Sequence, residues 1–463
     1  MRKIISNLKY IFNPKSIAVV GASQTPNKIS NVVMKNLVEG HYEGKIYAVN
    51  PKYTEVLGKP CYPTLMDIPG PVDSIIVVTP AATVPGIMQD AAKKKVKGAV
   101  VLSSGFGEVG AFELEKQFVD IAVKNDIAVI GANCLGTLDP YTKIDSIFLP
   151  MYKLQRPDPG DIAFITQSGG VGTCVIDIAA HFGVGISKFI SFGNGSVLNE
   201  SDLLEYLEHD PQTKSIILYM EGVKDGRKLL ETMKQVNRKK PIIVLKAGRF
   251  EKSQAAAKSH TGNIAGNYLA YHAAFRQSKV IEADNIDDLF DFVKIFGQTL
   301  PKGNRIGVVT NGGGLGVLTA DEIEMEHIEL AKLSQPTIET IKKILPSYGN
   351  VGNPLDLTAD SNVESYQTVI EAMMQDDGID ALAIIILFQT PTMDERILNV
   401  LVKASDDKRK PMCVIAVGGE YTDRFRRVLD NNNVPTYGSP NSAVKALKKL
   451  IDYAKYREQI KKK

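Results

Sequence analysis

The 463-residue sequence has only four cysteines, Cys61, Cys134, Cys174 and Cys413, and none stands at C-x-x-C or Cys/His spacing from another. That pattern excludes a disulfide framework and a structural zinc site, and it fits a reducing cytoplasm; no metal ligands are expected. A charge excess of one sign is missing too. Lys plus Arg number 55 against 52 Asp plus Glu, for a net +3, which leaves no basic footprint for nucleic acid or an anionic membrane. Long apolar runs are absent as well: the longest, Leu382 to Phe388, is the size of one strand. The N-terminal stretch places Ile4, Ile5, Leu8, Ile11 and Phe12 at helical spacing, but it is too short and too polar for a signal peptide or a membrane span. The expectation is a soluble protein.

With 44% hydrophobic residues, a chain of this length has material for two to four packed domains. Strand-like runs at Ser16 to Val20, Lys45 to Val49, Ser74 to Val78 and Gly98 to Leu102 alternate with helical patterns, the mark of doubly wound α/β architecture. Breaks rich in proline and glycine at 155–160 and 300–304 cannot propagate a helix or pair well in a sheet. Read as linkers, they divide the chain into domains at 1–150, 151–298 and 299–463.

The second and third of these repeat each other. Ala163-Phe164-Ile165 runs into Thr166-Gln167-Ser168-Gly169-Gly170-Val171-Gly172, just as Gly307-Val308-Val309 runs into Thr310-Asn311-Gly312-Gly313-Gly314-Leu315-Gly316. A later strand repeats as Lys240-Pro241-Ile242-Ile243-Val244 and Lys410-Pro411-Met412-Cys413-Val414. After it the copies part: one continues Ala247-Gly248-Arg249 toward His260, the other Val417-Gly418-Gly419-Glu420 with no histidine nearby.

That histidine stands in Lys258-Ser259-His260-Thr261-Gly262-Asn263, among small residues that would let a phosphorylated imidazole move without clashing. A neutral ring nitrogen is a competent nucleophile because histidine titrates near physiological pH. Such a histidine needs a carboxylate to fix its tautomer, and Glu221, at the end of the apolar run Ile216-Ile217-Leu218-Tyr219-Met220, is where open α/β sheets carry active-site groups. Three glycine-rich loops follow strands, at Gly21-Ala22-Ser23, Ser168-Gly169-Gly170 and Gly312-Gly313-Gly314. A glycine after a strand is often only a tight turn, but strand, loop and helix together present N–H groups and a helix dipole to a phosphate. A nicotinamide reading fails on two absences. The first loop lacks G-x-G-x-x-G, and the second strand ends Val49-Asn50-Pro51-Lys52 where an acidic residue would meet the ribose. Lysine there suits a phosphorylated ribose, as in NADP or coenzyme A.

Taken in order, these segments resemble the α subunit of the NDP-forming acyl-CoA synthetases, the ADP-forming acetyl-CoA synthetases in particular, and more distantly the α subunit of succinyl-CoA synthetase. The matching stretches include Val20-Gly21-Ala22-Ser23, Val49-Asn50-Pro51-Lys52, Val78-Thr79-Pro80-Ala81, Ser103-Ser104-Gly105-Phe106-Gly107-Glu108, Asn133-Cys134-Leu135-Gly136, Met220-Glu221-Gly222, Ser259-His260-Thr261-Gly262 and Asn353-Pro354-Leu355-Asp356. Ser30 and Ala132 depart from the glycine and proline usual in the family.

The resemblance implies an N-terminal Rossmann-like CoA-binding domain followed by two flavodoxin-like, succinyl-CoA-synthetase-like α/β domains. It implies CoA binding through Gly21, Ser23, Lys52, Pro80 and Asn133, phosphate binding by Ser168, Gly169, Gly170, Asn311, Gly312 and Gly313, phosphoryl transfer to His260, and Glu221 as its partner. The reaction implied is acetyl-CoA + phosphate + ADP ⇌ acetate + CoA + ATP through acetyl phosphate. ADP, ATP and magnesium would sit on a separate ATP-grasp β subunit in an α2β2 assembly. The alternatives are a succinate-type or other acyl-CoA ligase α subunit, a non-catalytic CoA-sensing subunit, and an NADP-dependent oxidoreductase.

Overall fold

A computed structural model describes residues 1–250, 252–253, 267–346 and 351–462. It divides into two compact units, one of residues 1–181 with 185–284, the other of residues 182–184 with 285–463.

The first unit contains two sheets. Strands β1 (Ser16–Val20), β2 (Lys45–Val49), β3 (Glu55–Val56), β4 (Lys59–Tyr62), β5 (Ser74–Val77), β6 (Gly98–Val101) and β7 (Ala128–Gly131) are ordered β3-β4-β2-β1-β5-β6-β7. All neighbours pair parallel except β3 with β4. The strands β1, β5, β6 and β7 are buried at every residue, as parallel strands covered on both faces must be, which is why they read as unbroken apolar runs. Without the short edge strand the order is that of a dinucleotide-binding fold, so a crevice opens at the carboxyl ends of β1 and β5, where the winding reverses. Gly21 sits at that point with φ +93°, and a Cβ there would fall 2.4 Å from the Val78 carbonyl oxygen. Only glycine fits.

The second sheet runs β14-β13-β12-β10-β11-β8-β9, with β8 (Thr137–Asp139), β9 (Ile144–Asp145), β10 (Pro159–Thr166), β11 (Ile186–Ser191), β12 (Ser215–Met220), β13 (Ile242–Lys246) and β14 (Ile281–Ala283). Two features differ from the sequence reading. The chain joins this sheet at β8, antiparallel to β11, before position 150, where the linker reading puts the boundary. A three-residue strand and a two-residue strand carry too little periodicity to show in sequence. The stretch 155–160, read as a linker, already contributes Pro159 and Gly160 to β10, with a register shift between Pro159 and Ile162. Gly160 is there because the chain passes close to Gly185, whose backbone carbon would lie 2.2 Å from a Cβ. The N-terminal residues do form short helices, Lys3–Ser6 and Lys9–Phe12. Phe12 stacks on Tyr206 at 5.7 Å, and one core runs from Ile5, Leu8 and Phe12 through Ile190 and Leu204 to Phe275.

The second unit holds β15 (Arg305–Thr310), β16 (Glu329–Leu330), β17 (Leu355–Asp356), β18 (Ala381–Ile385), β19 (Met412–Ile415) and β20 (Thr436–Tyr437), ordered β16-β15-β18-β19-β20 with β17 also against β15. Counting strands along each copy and leaving out the two-residue β17, both β11-β10-β12-β13-β14 and this sheet have the flavodoxin-like order 2-1-3-4-5. The repeat extends to single atoms. The Thr166 hydroxyl donates to the Ser168 carbonyl and accepts from the Ser168 amide, at 2.8 and 3.0 Å. Thr310 does the same with Gly312, at 3.1 and 2.9 Å. Among the described residues no helix is long and apolar enough to cross a membrane.

Candidate active site

Within the first unit, the carboxyl ends of strands from both sheets border a cavity of about 610 Å³. Val78, Thr79 and Pro80 follow β5, Ser103 and Ser104 follow β6, and Asn133 follows β7; Gln167 and Gly169 enter from β10, Gly193 and Asn194 from β11. Lys28 and Ser30, at the start of the helix Ile29–Glu39, add one cation and one hydroxyl. Among the residues expected to bind CoA, Pro80 and Asn133 line this space and Gly21, Ser23 and Lys52 do not. Ser23 is buried, its hydroxyl accepting from the Thr25 amide at 3.1 Å. Lys52 is exposed, and its backbone amide donates to Asn50 Oδ1 at 2.9 Å.

Asn194 joins the two sheets across the cavity. Its side-chain amide donates to Glu108 Oε2 at 2.6 Å, its backbone amide donates to the Ala132 carbonyl at 3.0 Å, and its Oδ1 accepts from Asn133 Nδ2 at 3.4 Å. Burial pushes the Glu108 carboxyl up, but hydrogen bonds from Asn194 and from the Gly105 and Phe106 amides outweigh it and hold the group below the usual carboxylate range. The anion thus braces the wall of the cavity instead of facing it.

The phosphate loop of the first copy is built around Gln167. Its Oε1 accepts from the backbone amides of Glu221 and Gly222, at 2.7 and 3.1 Å, so the end of β10 is tied to the end of β12. Ser168 caps the helix Gly169–Phe182, with Oγ 3.4 Å from the Val171 amide. At a helix start the first amides have no carbonyl of their own helix to meet, and Gly169 lines the cavity there. Glu221 is 6% exposed and accepts from the Tyr219 hydroxyl at 3.4 Å. Burial, with the Glu221 charge added, raises the Tyr219 hydroxyl far above its ordinary range, so it remains a donor. The structure therefore brings Gln167, Gly169 and Glu221 together. His260 lies outside the described residues.

The loop of the second copy has other neighbours. Asn311 mirrors Gln167: its Oδ1 accepts from the Leu387 amide at 2.8 Å, while Nδ2 donates to the Leu387 carbonyl at 3.2 Å and to Thr390 Oγ1 at 3.3 Å. That side chain is committed to holding the loop after β18. A Cβ on Gly313 would fall 2.4 Å from Asp356 Oδ2, so a carboxylate of the protein itself stands at the start of the helix Gly313–Met325, where an anion is favoured. Asp356 pairs with Thr310 across β17 and β15 as Ser191 pairs with Thr166 across β11 and β10. One copy has an anion where the other has a hydroxyl. As a phosphate cradle, the loop at 311–313 would have to accommodate that charge. Sequence reasoning missed Asn194, Glu108 and the bracing role of Gln167 and Asn311. The one signal available for Gln167 and Asn311 was their place, directly after a strand.

Three family models match in succession: a CoA binding domain over residues 15–140, a succinyl-CoA ligase like flavodoxin domain over 159–296, and a ligase-CoA domain over 306–440. The α subunit of acetate–CoA ligase (ADP-forming) II of Pyrococcus furiosus is 39% identical over 97% of this chain and 98% of its own. The chain belongs to the ADP-forming acetate–CoA ligase family. A second family member, acetate–CoA ligase (ADP-forming) I of Archaeoglobus fulgidus, is 39% identical over 98% of this chain, which spans 65% of that ligase. The solved structure of the dinucleotide-forming acetyl-coenzyme A synthetase 1 of Ca. Korarchaeum cryptofilum, in complex with phosphate and ADP, superposes with a TM-score of 0.91 at 36% identity over 98% of both chains. The order of three α/β segments is therefore a family trait.

Proposed function

We propose that this chain is the α-type subunit of an ADP-forming acetate–CoA ligase, catalysing acetyl-CoA + phosphate + ADP ⇌ acetate + CoA + ATP. Segment 1–150 binds CoA, 151–298 carries the phosphohistidine, and 299–463 supplies the second loop. ADP, ATP and magnesium are held by an ATP-grasp partner subunit in an α2β2 assembly, in the cytoplasm. What supports this reading is the cavity, which connects the β5 and β6 strand ends of the CoA-type sheet to the Gln167-Ser168-Gly169 loop.

Chemically, an oxygen of inorganic phosphate attacks the thioester carbonyl, the C–S bond breaks, and CoA leaves as a thiolate that takes up a proton. Backbone amides of Gly169 and Gly170 stabilise the phosphate and the charge developing on the carbonyl oxygen. A ring nitrogen of His260 then attacks phosphorus in acetyl phosphate, releasing acetate, while Glu221 accepts from the other ring nitrogen. Finally the phosphoryl group passes from the imidazole to the β-phosphate oxygen of ADP. The chain combined with its ATP-grasp partner should release free thiol from acetyl-CoA over many turnovers only when both phosphate and ADP are present, and with phosphate alone release should stop at one thiol per histidine. Thiol release independent of phosphate would indicate a thioesterase, and CoA binding without release would indicate a sensing subunit.

A further inference from the structure

Lys246 closes β13 and is almost wholly removed from solvent, at 1% exposure. A buried ammonium normally has a carboxylate partner. Among the described residues none lies within ion-pair distance of Lys246. Its Nζ donates instead to the Glu221 carbonyl at 2.7 Å and to the Ala247 carbonyl, and lies 4.6 Å from the Tyr271 ring centroid. The two carbonyls belong to different strands' ends. One is the residue expected to orient the imidazole; the other opens the stretch of chain that runs to His260.

We propose that Lys246 is a positioning residue for the phosphohistidine step: its ammonium clamps the Glu221 carbonyl to the Ala247 carbonyl, fixing the carboxylate and the root of the histidine-bearing stretch at one point. The inference rests on the phosphohistidine reading given above. A charged donor makes hydrogen bonds roughly twice as strong as a neutral one, so the clamp depends on the charge and not only on the amine. Several groups bear on that charge. Burial and the Arg249 guanidinium lower the proton affinity of Lys246 and the Glu221 carboxylate raises it, leaving the group at about 8. Tyr271, from the helix Tyr268–Ser278, presents only its ring face to the ammonium, and the Glu200 carboxyl acts on the Tyr271 hydroxyl.

The test is the rate of phosphohistidine formation from acetyl-CoA and phosphate, followed against pH with the partner subunit present. Wild type should lose rate along an alkaline limb near pH 8. Lys246→Arg, which stays charged to above about pH 12, should keep activity and move that limb upward. Lys246→Met should lose on the order of tenfold at neutral pH, the value of one charged hydrogen bond, and show no limb. Lys246→Met matching wild type in rate and profile overturns the proposal, as does Lys246→Arg with the limb still near 8. The arginine arm decides even where the methionine variant does not fold. No phosphohistidine in wild type would remove the underlying reading and this proposal with it, a result distinct from a change confined to the variants.

Discussion

Glu200 shows what a single buried side chain can do to this fold. It is 3% exposed, and its Oε1 has no hydrogen-bond partner among the described residues. Burial, helped by the Asp202 charge and opposed by Lys224 and Lys228, pushes its carboxyl up to about 7. An unfolded glutamate titrates at about 4.3. Between these values the folded state keeps a proton that the unfolded state has released, so stability falls as pH rises, and the loss is complete above 7. The cost is roughly 4 kcal/mol. Glu200→Gln should therefore raise the melting temperature at pH 8 relative to wild type by more than it does at about pH 4. An equal effect at both values would show that the carboxyl does not titrate this way. At this scale the sequence singled out Glu221, an acid at a strand end before glycine, and the structure places it buried at the end of β12 beside Gln167. The sequence was silent on Asn194, on Lys246 and on the bracing role of Gln167, because a bracing amide and a clamping lysine look like any polar residue until the loops that they join are placed.

Elements were read more easily than their connections. Buried parallel strands such as β1 and β5 announced themselves as apolar runs, and the T-Q-S-G-G and T-N-G-G-G stretches disclosed the repeat because both use the same threonine turn. What the repeat could not disclose is that β8 and β9 belong to the second sheet, or that Asp356 stands beside Gly313. Both depend on pairing between segments distant in sequence. The amide tie from β10 to β12 gives a prediction at this scale. Gln167→Leu leaves two buried backbone amides, of Glu221 and Gly222, without their acceptor. Each such orphan costs about 1–3 kcal/mol. Denaturant unfolding of the variant should show a loss of at least one such cost together with weaker phosphohistidine formation. Unchanged stability would mean that water or another group replaces the side chain at no expense.

For the molecule as a whole, its three successive α/β segments agree with a family whose members appear both as separate α subunits and as longer single chains. The three-segment plan was legible because glycine-rich loops recur after apolar strands. The proposed chemistry was read from the histidine stretch, where the second and third segments part in sequence. The central claim is that this chain, seated on its partner, carries the phosphoryl group on His260. The direct measurement is incubation with acetyl-CoA and labelled inorganic phosphate, followed by acid and alkali treatment of the isolated chain. The account predicts acid-labile, base-stable label that requires acetyl-CoA, disappears in His260→Ala and is largely lost in Glu221→Ala. Label that persists in His260→Ala, or no label on the wild-type chain with the partner present, would contradict it.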